Sequence, residues 1–280
     1  MIESNKILIA YQYTCFDKIS SLIYFLKKYK KIEPGIKHKL LICLKLLKGK
    51  KLKKIISIID RHIKKKIIFV DICNFNDYDF GSYSRIAQNY KDHQILFLNS
   101  HSAPEKKNWL KKISHFGDKK TLIGATASFS SHASNSFYRH KKDNYFIFLK
   151  KIILSNFYFP KFPNPHIRTS NFMINGNEFL KFMKNKTKIM NKFDAHIIES
   201  GKNGLTNYFQ KKGFKIFVVN SDTKKFKLSL AFKSQTFCTN NQKKLLISDK
   251  HSRLFDSYNF IEKKKMMKRV WGYFANIKSS

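Results

Sequence analysis

The sequence predicts an α/β fold in which a mainly parallel β-sheet carries helices on both faces and a helical extension follows at the C-terminal end. Three observations support this prediction. Apolar runs of strand length alternate with segments of helical periodicity, and strands joined by helical crossovers pair in parallel. Polar residues gather directly after the apolar runs. The 280 residues suffice to bury a sizeable core.

The first half of the chain supplies most of the predicted sheet. Its strands are the five apolar runs at 6–13, 39–45, 66–72, 94–98 and 121–126. Spacing of three and four residues between apolar positions indicates the first helix, at Ile19, Leu22, Ile23 and Leu26. Further helices are predicted over 52–63, over 82–91 and from Pro104 to 113, because proline fits the first turn of a helix.

The second half is less regular. Residues 127–143 are predicted to form a long loop, which is either a lid over a site or a segment without fixed structure. A strand at 167–174, a helix or turn carrying Glu199, a further helix and a strand up to 219 follow. With no internal repeat and no Gly-Ser linker, we expect one domain over 1–225 and an extension over 226–280 that packs on it.

The charge of the chain is strongly positive. Its 56 Lys and Arg against 18 Asp and Glu give a formal net charge of +38, which is typical of proteins that bind nucleic acid or acidic membranes. Only six of these cations are arginines, although arginine recognises phosphate more specifically than lysine does. The excess of lysine is also what an AT-rich genome produces. We therefore expect no nucleic-acid partner.

Several common site motifs are absent from the sequence. SGKNGLT (200–206) departs from the Walker spacing, and no HExxH or GxSxG pattern occurs. The four cysteines are scattered singly, which is typical of free thiols in a reducing cytosol. No leader and no apolar span of about 18 residues is evident, so we expect a cytoplasmic protein with peripheral contact to the inner membrane.

A first candidate site follows the third strand, at the edge where parallel sheets bind ligands. In NDYDFGSYSRIA (76–87), Asp77 and Asp79 come at a strand end. Gly81 would let the backbone approach a ligand, and the following helix would favour an anion at its N-terminus. An ordinary capped helix start fits the same residues.

A second polar cluster ends the fourth strand. QILFL (94–98) is followed by Asn99, Ser100, His101 and Ser102. An amide, hydroxyls and an imidazole can bind ribose or phosphate oxygens, or help to hold a cation. A capped turn accounts for this cluster equally well when it is taken alone.

The order of these pieces resembles the nucleotide-sugar half of the GT-A (Rossmann-like) glycosyltransferases of family 2. More closely, the chain resembles bacterial glycosyltransferase-like proteins related to those of rhamnan and O-antigen synthesis. Between residues 6 and 272 the matching pieces occur in order: FLKKYKKIEPGIKHKLLICLK, DYDFGSYSRIA, FLNSHSAPEKKNWLKKI, IGATASFSSH, HIRTSNFMI, ESGKNGLTNYFQKKGFKIFVV and SDKHSRLFDSY…VWG.

The resemblance implies roles for particular residues. Asp79 and the helix with Gly81 and Arg85 would face the donor. Asn99, Ser100, His101 and Ser102 would stand where family 2 enzymes carry a metal-binding Asp-x-Asp. Because this stretch has no carboxylate, Mg²⁺ or Mn²⁺ use, with His101 and Asp79 as ligands, and metal independence are both left open.

The acceptor side is implied in the same way. Glu199 falls where family 2 enzymes carry the acid that deprotonates the acceptor hydroxyl. His166 and Arg168 open the strand that borders the diphosphate or the acceptor. A surface glutamate and a hydrogen bond within a turn are the ordinary readings of Glu199 and His166.

The resulting expectation is an inverting-type glycosyltransferase. It would transfer a sugar from a nucleotide-sugar donor to a hydroxyl of a glycan or a lipid-linked glycan of the cell surface, in polysaccharide or lipopolysaccharide synthesis. Two alternatives are a non-enzymatic basic protein that binds nucleic acid or anionic surfaces, and a degenerate glycosyltransferase fold kept for binding.

Overall fold

The computed structural model describes residues 6–135, 144–186 and 188–275. Its strands, in chain order, are β1 (Ile7–Thr14), β2 (Lys39–Lys45), β3 (Ile67–Asp71), β4 (Gln94–Leu98), β5 (Ala103–Pro104), β6 (Thr121–Gly124), β7 (Ala127–Ser128), β8 (His166–Ile167), β9 (Asn171–Asn175), β10 (Lys215–Val219), β11 (Lys225–Lys227) and β12 (Ile247–Ser248).

The α-helices of the described residues lie between these strands and after them. They are α1 (Ile19–Lys31), α2 (Gly49–His62), α3 (Tyr78–Asn89), α4 (Trp109–Ser114), α5 (His132–Asn135), α6 (Tyr145–Tyr158), α7 (Gly176–Lys184), α8 (Lys192–Ser200), α9 (Leu205–Lys211), α10 (Lys250–Ser257) and α11 (Phe260–Trp271). No helix among the described residues is both long enough and apolar enough to cross a membrane.

An eight-stranded sheet forms the centre, in the order β11-β10-β6-β9-β4-β1-β2-β3. The pairs β1–β2, β1–β4, β2–β3 and β6–β10 are parallel, while β9 runs antiparallel between β4 and β6, and β11 runs antiparallel on β10. The prediction of an α/β fold with a mainly parallel sheet is confirmed.

Helices cover both faces of this sheet because its central strands are apolar on both sides. In β1, Ile7 and Ile9 point to one core, which α1, α2 and α4 complete, and Leu8 and Ala10 point to the other, which α3, α7 and α9 complete. Each successive residue of a strand faces the opposite side of the sheet. The apolar runs of the sequence therefore correspond to buried strands in the structure.

Two predicted elements differ in the structure. The predicted strand 167–174 is divided into β8, which pairs with β7, and β9, which begins at Asn171. Pro104 is not in a helix: it lies in β5 and pairs with β12, and Glu105 donates its backbone N–H to Leu246 O. Helix α4 starts later, at Trp109, after Asn108 in a left-handed conformation.

The predicted loop over 127–143 is in part regular. Residues 127–128 form β7 and 132–135 form α5, whereas 136–143 lie outside the described residues. The lid interpretation falls on that segment and stays a prediction.

The tail of the chain packs back on its first half and forms a small two-stranded sheet with it. Strand β12 pairs with β5, and Trp271 packs on Phe129 at 5.1 Å between ring centroids while donating Nε1–H to Phe237 O at 2.9 Å. Residue 226 lies within β11, an edge strand of the sheet. A domain boundary between 225 and 226 stays a prediction.

Candidate functional site

Polar side chains collect at the edge of the sheet where β1, β2, β3, β4 and β6 end and β9 begins. In a parallel sheet this edge is where ligands bind. The sequence elements that reach it are the turn after β1, the start of α3, the turn after β4, the start of β9, the last turn of α8 and the start of α10.

The start of α3 is held by a network of buried charges. The ammonium of Lys45, a fully buried residue at the end of β2, contacts the Asp77 carboxylate and the Tyr78 carbonyl oxygen. Arg85 donates two hydrogen bonds of 2.7 Å to Asp71 and one of 2.7 Å to Asp77. Burial acts to raise the pKa of Asp77, but Arg85 and Lys45 outweigh it and lower this pKa. The guanidinium of Arg85, a predicted donor-binding group, is thus engaged by two carboxylates of the protein.

The presence of glycine at position 81 is explained by this network. A Cβ at this position would overlap the carboxylate of Asp77, which Lys45 and Arg85 hold in place. Glycine is therefore required here for the approach of Asp77. A ligand contact at Gly81, which the sequence suggested, stays a prediction.

Asp79 lies in the first turn of the same helix, and its environment differs from that of Asp77. Its carboxylate makes no hydrogen bond or ion pair within the described residues. Burial raises its pKa to about 6, the charges of Asp17 and Glu199 add to this effect, and Lys45 opposes it. The hydroxyl of Tyr83, buried without a hydrogen-bond partner in the described part of the chain, interacts electrostatically with Asp79 and Glu199. A polar group that entered this space would find unsatisfied partners.

The turn after β4 is largely closed on itself. Asn99 Oδ1 accepts hydrogen bonds from His101 N at 3.1 Å and Ser102 Oγ at 3.0 Å. Ser102 Oγ also lies 2.7 Å from Ser170 O, and Ser100 Oγ donates to Asp17 Oδ1 at 2.7 Å. Of these four predicted donor-binding residues, His101 presents the most available side chain, with its ring Nε2 3.8 Å from Asp17 Oδ1.

Asp17 is a residue that the sequence reading missed. Its carboxylate accepts from Thr14 N and Oγ1, both at 2.8 Å, as well as from Ser100. The residue ties the turn after β1 to the turn after β4. Its position a few residues after the first strand, the same position as the other polar clusters, was the signal that could have found it.

Glu199 lies near the end of α8 and points toward the start of β9. Its Oε1 accepts hydrogen bonds from Thr169 N at 3.1 Å and Thr169 Oγ1 at 2.8 Å, and its Oε2 is 3.7 Å from His196 Nδ1. Burial acts to raise the pKa of Glu199, but His196, His166 and Thr169 outweigh it and hold this pKa well below its usual range. Glu199 is therefore ionised at neutral pH, and Oε2, which has the His196 ring at 3.7 Å, is the oxygen that can accept a proton.

Histidines surround this carboxylate. His166 Nδ1 lies 2.7 Å from Asn164 O, so this nitrogen carries the hydrogen and Nε2 keeps the lone pair. The rings of His132 and His196 are 4.4 Å apart. Burial lowers the pKa values of His166 and His132, that of His132 to about 4.

Arg168, the predicted diphosphate ligand, forms an ion pair inside the protein. Its Nη1 is 2.6 Å from Asp249 Oδ2, and its guanidinium stacks on Phe237 at 3.8 Å. Asp249 in turn caps α10 and accepts a hydrogen bond from Ser170 Oγ at 2.6 Å. The positive charge of Arg168 is thus compensated by a neighbouring carboxylate.

Arg253 is the arginine that the sequence left without a role. Its Nη1 donates to His101 O at 2.9 Å and to Ser248 Oγ at 3.1 Å, and no carboxylate of the described residues pairs with it. Lys250 and Arg253 both interact electrostatically with the His101 ring. Burial lowers the pKa of His101, and these two cations lower it further. Two cations, Lys250 and Arg253, therefore lie beside a neutral His101 ring at the turn after β4.

The described residues provide no complete set of protein ligands for a divalent cation at this edge. Within 6–135, 144–186 and 188–275, no group of three or more His, Cys, Asp or Glu is placed to hold a metal ion. Asp17 uses both of its oxygens within the protein, and the turn after β4 offers no carboxylate to join Asp79. Mg²⁺ is typically held by one or two carboxylates together with substrate phosphates and waters, so metal use and metal independence both stay open.

No family model and no curated protein matches the sequence. Among solved structures, the chain is similar to the galactosyltransferase LgtC in complex with donor and acceptor sugar analogs, at 10% identity and a TM-score of 0.44, over 77% of this chain and 74% of that one. It is similar to the mannosyltransferase PcManGT from Pyrobaculum calidifontis in complex with GDP-Man and Mn²⁺, at 6% identity and a TM-score of 0.46, over 75% and 53%. A third neighbour is the bifunctional glycosyltransferase WbbM, at 9% identity and a TM-score of 0.46, over 94% and 44%.

The chain spans about half the length of the last two proteins. All three neighbours are glycosyltransferases. Similarity at these identities and TM-scores concerns the fold alone, so function has to be argued from the side chains.

Proposed function

We propose that this protein is a glycosyltransferase that moves a sugar from a nucleotide-sugar to a hydroxyl of a glycan or lipid-linked glycan, with inversion. One observation carries the proposal. At the carboxyl edge of the sheet, Thr169 holds Glu199 by two hydrogen bonds of 3.1 and 2.8 Å, and the charge of Glu199 acts on Asp79, which has no hydrogen-bond partner among the described residues. The pKa of Asp79 is raised and that of Glu199 is lowered. Paired carboxylates with separated pKa values are typical of sites that handle protons and polar substrates.

Glu199 is the proposed base. Thr169 fixes Oε1 with two hydrogen bonds, which orients the carboxylate and leaves Oε2 toward the acceptor. The acceptor hydroxyl would give its proton to Oε2 as its oxygen attacks the anomeric carbon. The bond from that carbon to the departing diphosphate breaks in the same step, so the configuration at carbon inverts.

Asp79 is proposed to bind hydroxyl groups of the donor. With a pKa of about 6, this carboxyl group is ionised at neutral pH but lacks a partner, so it gains a hydrogen bond when a sugar or ribose hydroxyl arrives. The earlier assignments of Arg85, Asn99, Ser100 and Ser102 to the donor stay predictions. Their polar atoms are engaged within the protein as described above.

The departing diphosphate needs positive charge nearby. Lys250 and Arg253 supply this charge, Arg253 has no paired carboxylate among the described residues, and an arginine fork suits phosphate oxygens. The neutral ring of His101 can add a hydrogen bond. Arg168 is compensated by Asp249 and would reach the diphosphate only by exchanging that partner. We therefore place the diphosphate at the turn after β4, with the charge carried by the protein's own cations.

Donor binding is tested by thermal unfolding of the full chain with UDP-, GDP- and dTDP-sugars, each with EDTA and with Mn²⁺. A donor at a hundred times its dissociation constant stabilises the folded state by about 2.7 kcal/mol. We expect a shift with at least one donor and the same shift in EDTA. If none of these nucleotide-sugars raised the melting temperature, the proposal would be wrong.

The role of Glu199 is tested by Glu199→Gln, with Glu178→Gln as the matched control. Glu178 pairs with Lys181 on α7, which begins at the end of β9 opposite to the site. Glu199→Gln should keep the donor-induced thermal shift and lose release of nucleoside diphosphate by at least a hundredfold, because general-base catalysis contributes about that factor. Glu178→Gln should keep both. A fully active Glu199→Gln protein would remove Glu199 from the role of base.

A further inference from the structure

Helix α6 carries an apolar stripe on its outer side. Phe146, Leu149, Ile153 and Phe157 follow one another at spacings of three and four residues, so they lie on one face of the helix. They are 80%, 36%, 66% and 67% exposed. The fully buried position of α6 is Ser155, on the opposite side.

This arrangement is the reverse of the one in α1. In α1, Leu22, Phe25 and Leu26 are buried and lysines face outward. A contiguous apolar surface that stays exposed marks an interaction site for another molecule. The outer face of α6 is therefore such a site.

The charge around the stripe indicates the kind of partner. Helix α6 contains no acidic residue. Lys150 is spaced four residues from Phe146 and three from Ile153 and so lies beside the stripe, whereas Lys151 lies on the side of Ser155. Lys202 lies at its C-terminal end, where it donates its backbone N–H to Tyr158 O at 2.8 Å and its ammonium to Asn156 O at 3.0 Å. The chain as a whole carries a net charge of +38. Aromatic and aliphatic side chains flanked by lysines match the interface of an anionic bilayer.

The length of the helix sets its orientation in that bilayer. Fourteen residues of α-helix are about 21 Å long, which is shorter than the hydrocarbon core of about 30 Å. We propose that α6 is an interfacial anchor, which lies in the plane of an anionic membrane and inserts Phe146, Leu149, Ile153 and Phe157 below the headgroups.

The anchor adjoins the helix that bears Glu199. Tyr158 at the end of α6 is 6.0 Å from Phe193 of α8, between ring centroids, and Phe159 is 4.7 Å from His132, whose ring stacks near His196. A bilayer on the outer face of α6 would therefore lie next to the acceptor side of the site. On the proposed function, this favours an acceptor carried on a lipid.

The test uses vesicles and needs neither donor nor acceptor, so its result is independent of the proposed activity. Both native tryptophans, Trp109 and Trp271, are buried. Ile153→Trp therefore adds an exposed reporter on the stripe, and Ile72→Trp adds one at an 86% exposed position after β3. Each is titrated with vesicles of phosphatidylglycerol and of phosphatidylcholine.

We expect the Ile153→Trp emission to shift to shorter wavelength with phosphatidylglycerol, and the Ile72→Trp emission to stay unchanged. Phe146→Ser/Phe157→Ser should lower the partition onto phosphatidylglycerol vesicles at least about tenfold, since each insertion of a phenyl group contributes that much or more. Circular dichroism checks that these exposed substitutions leave the fold intact.

Other outcomes would overturn the anchor. These are equal binding by the double variant, equal binding to both lipids, and no binding to either. A dimer in solution that dissociates on Phe146→Ser/Phe157→Ser, with no vesicle binding, would show that a second copy of the chain covers the stripe instead.

Discussion

Asp79 and Asp77 stand two residues apart, and the structure predicts opposite effects for the same substitution at each. In the folded protein the pKa of Asp79 is raised to about 6 from an ordinary value of 3.8. The unfolded chain therefore loses this proton first as the pH rises. Folding stability falls between pH 3.8 and pH 6 because of this group, and the penalty stays in full above pH 6.

The magnitude follows from the two pKa values. A difference of about 2.2 units corresponds to about 3 kcal/mol at pH 8, and titration theory gives about 1.5 kcal/mol at pH 5. Asp79→Asn mimics the protonated acid and removes the penalty. We expect the variant to be more stable than the native protein by these amounts, and to bind the donor more weakly if Asp79 holds a donor hydroxyl.

Asp77→Asn should act in the other direction. Lys45 is fully buried against Asp77, and Arg85 shares the same carboxylate. Removing the charge leaves a buried ammonium uncompensated, which costs about 3–5 kcal/mol. The pKa of Asp77 is lowered, so its stabilising contribution is present above the ordinary value of 3.8 and is lost as the pH falls below it.

Urea unfolding of the native chain and both variants, followed by circular dichroism at pH 5 and pH 8, measures these differences. The reasoning would be refuted by an Asp79→Asn gain that is equal at the two pH values, or by a loss of stability in that variant at pH 8. An Asp77→Asn protein as stable as the native one would show that the ion pair between Lys45 and Asp77 does not stabilise the fold.

Three further predictions concern single residues. Gly81→Ala should destabilise the fold by about 2 kcal/mol in urea unfolding, because the added methyl group displaces Asp77; a neutral result would mean that α3 can shift freely. The pKa of His132 is about 4 in the folded protein against an ordinary value of 6.5, so the native protein should lose up to about 3 kcal/mol of stability as the pH falls from 6.5 to 4. His132→Gln should lose less stability over this pH range. An equal loss of stability in both proteins would contradict the burial of a neutral ring. Arg253→Met should weaken nucleoside-diphosphate binding about tenfold or more by calorimetry, whereas Arg61→Met, on the outer face of α2, should not; unchanged affinity in both would move the diphosphate elsewhere.

Local sequence patterns predicted the helices and strands whose residues are specified by their near neighbours in the chain. The strands Lys39–Lys45 and Gln94–Leu98 have the predicted bounds, because continuous apolar runs between polar turns are stable only when buried in a sheet. Helix α9 and strand β10 followed in the expected order for the same reason. The predicted strand 167–174 was too long at its start, since the turn at Thr169 and Ser170 is held by Glu199 and by the turn after β4.

The sequence predicted where the candidate site lies in the fold, but not which side chains bond to each other within it. Polar residues after each strand marked the correct edge of the sheet. The sequence does not show that Arg85 is engaged by Asp71 and Asp77. Nor does it show that Ser102 donates to Asn99 and Ser100 donates to Asp17. Which hydrogen bonds and ion pairs form depends on competition among several polar side chains at one edge of the sheet.

The sequence by itself determined the alternation of strands and helices, the burial of the sheet on both faces and the edge at which polar groups collect. Tertiary structure alone decided that β9 enters antiparallel between β4 and β6, that Arg253 reaches His101 across 152 residues, and that the stripe of α6 faces outward. Periodicity shows that a helix has an apolar face, but only the packing of the remaining chain determines whether anything covers it.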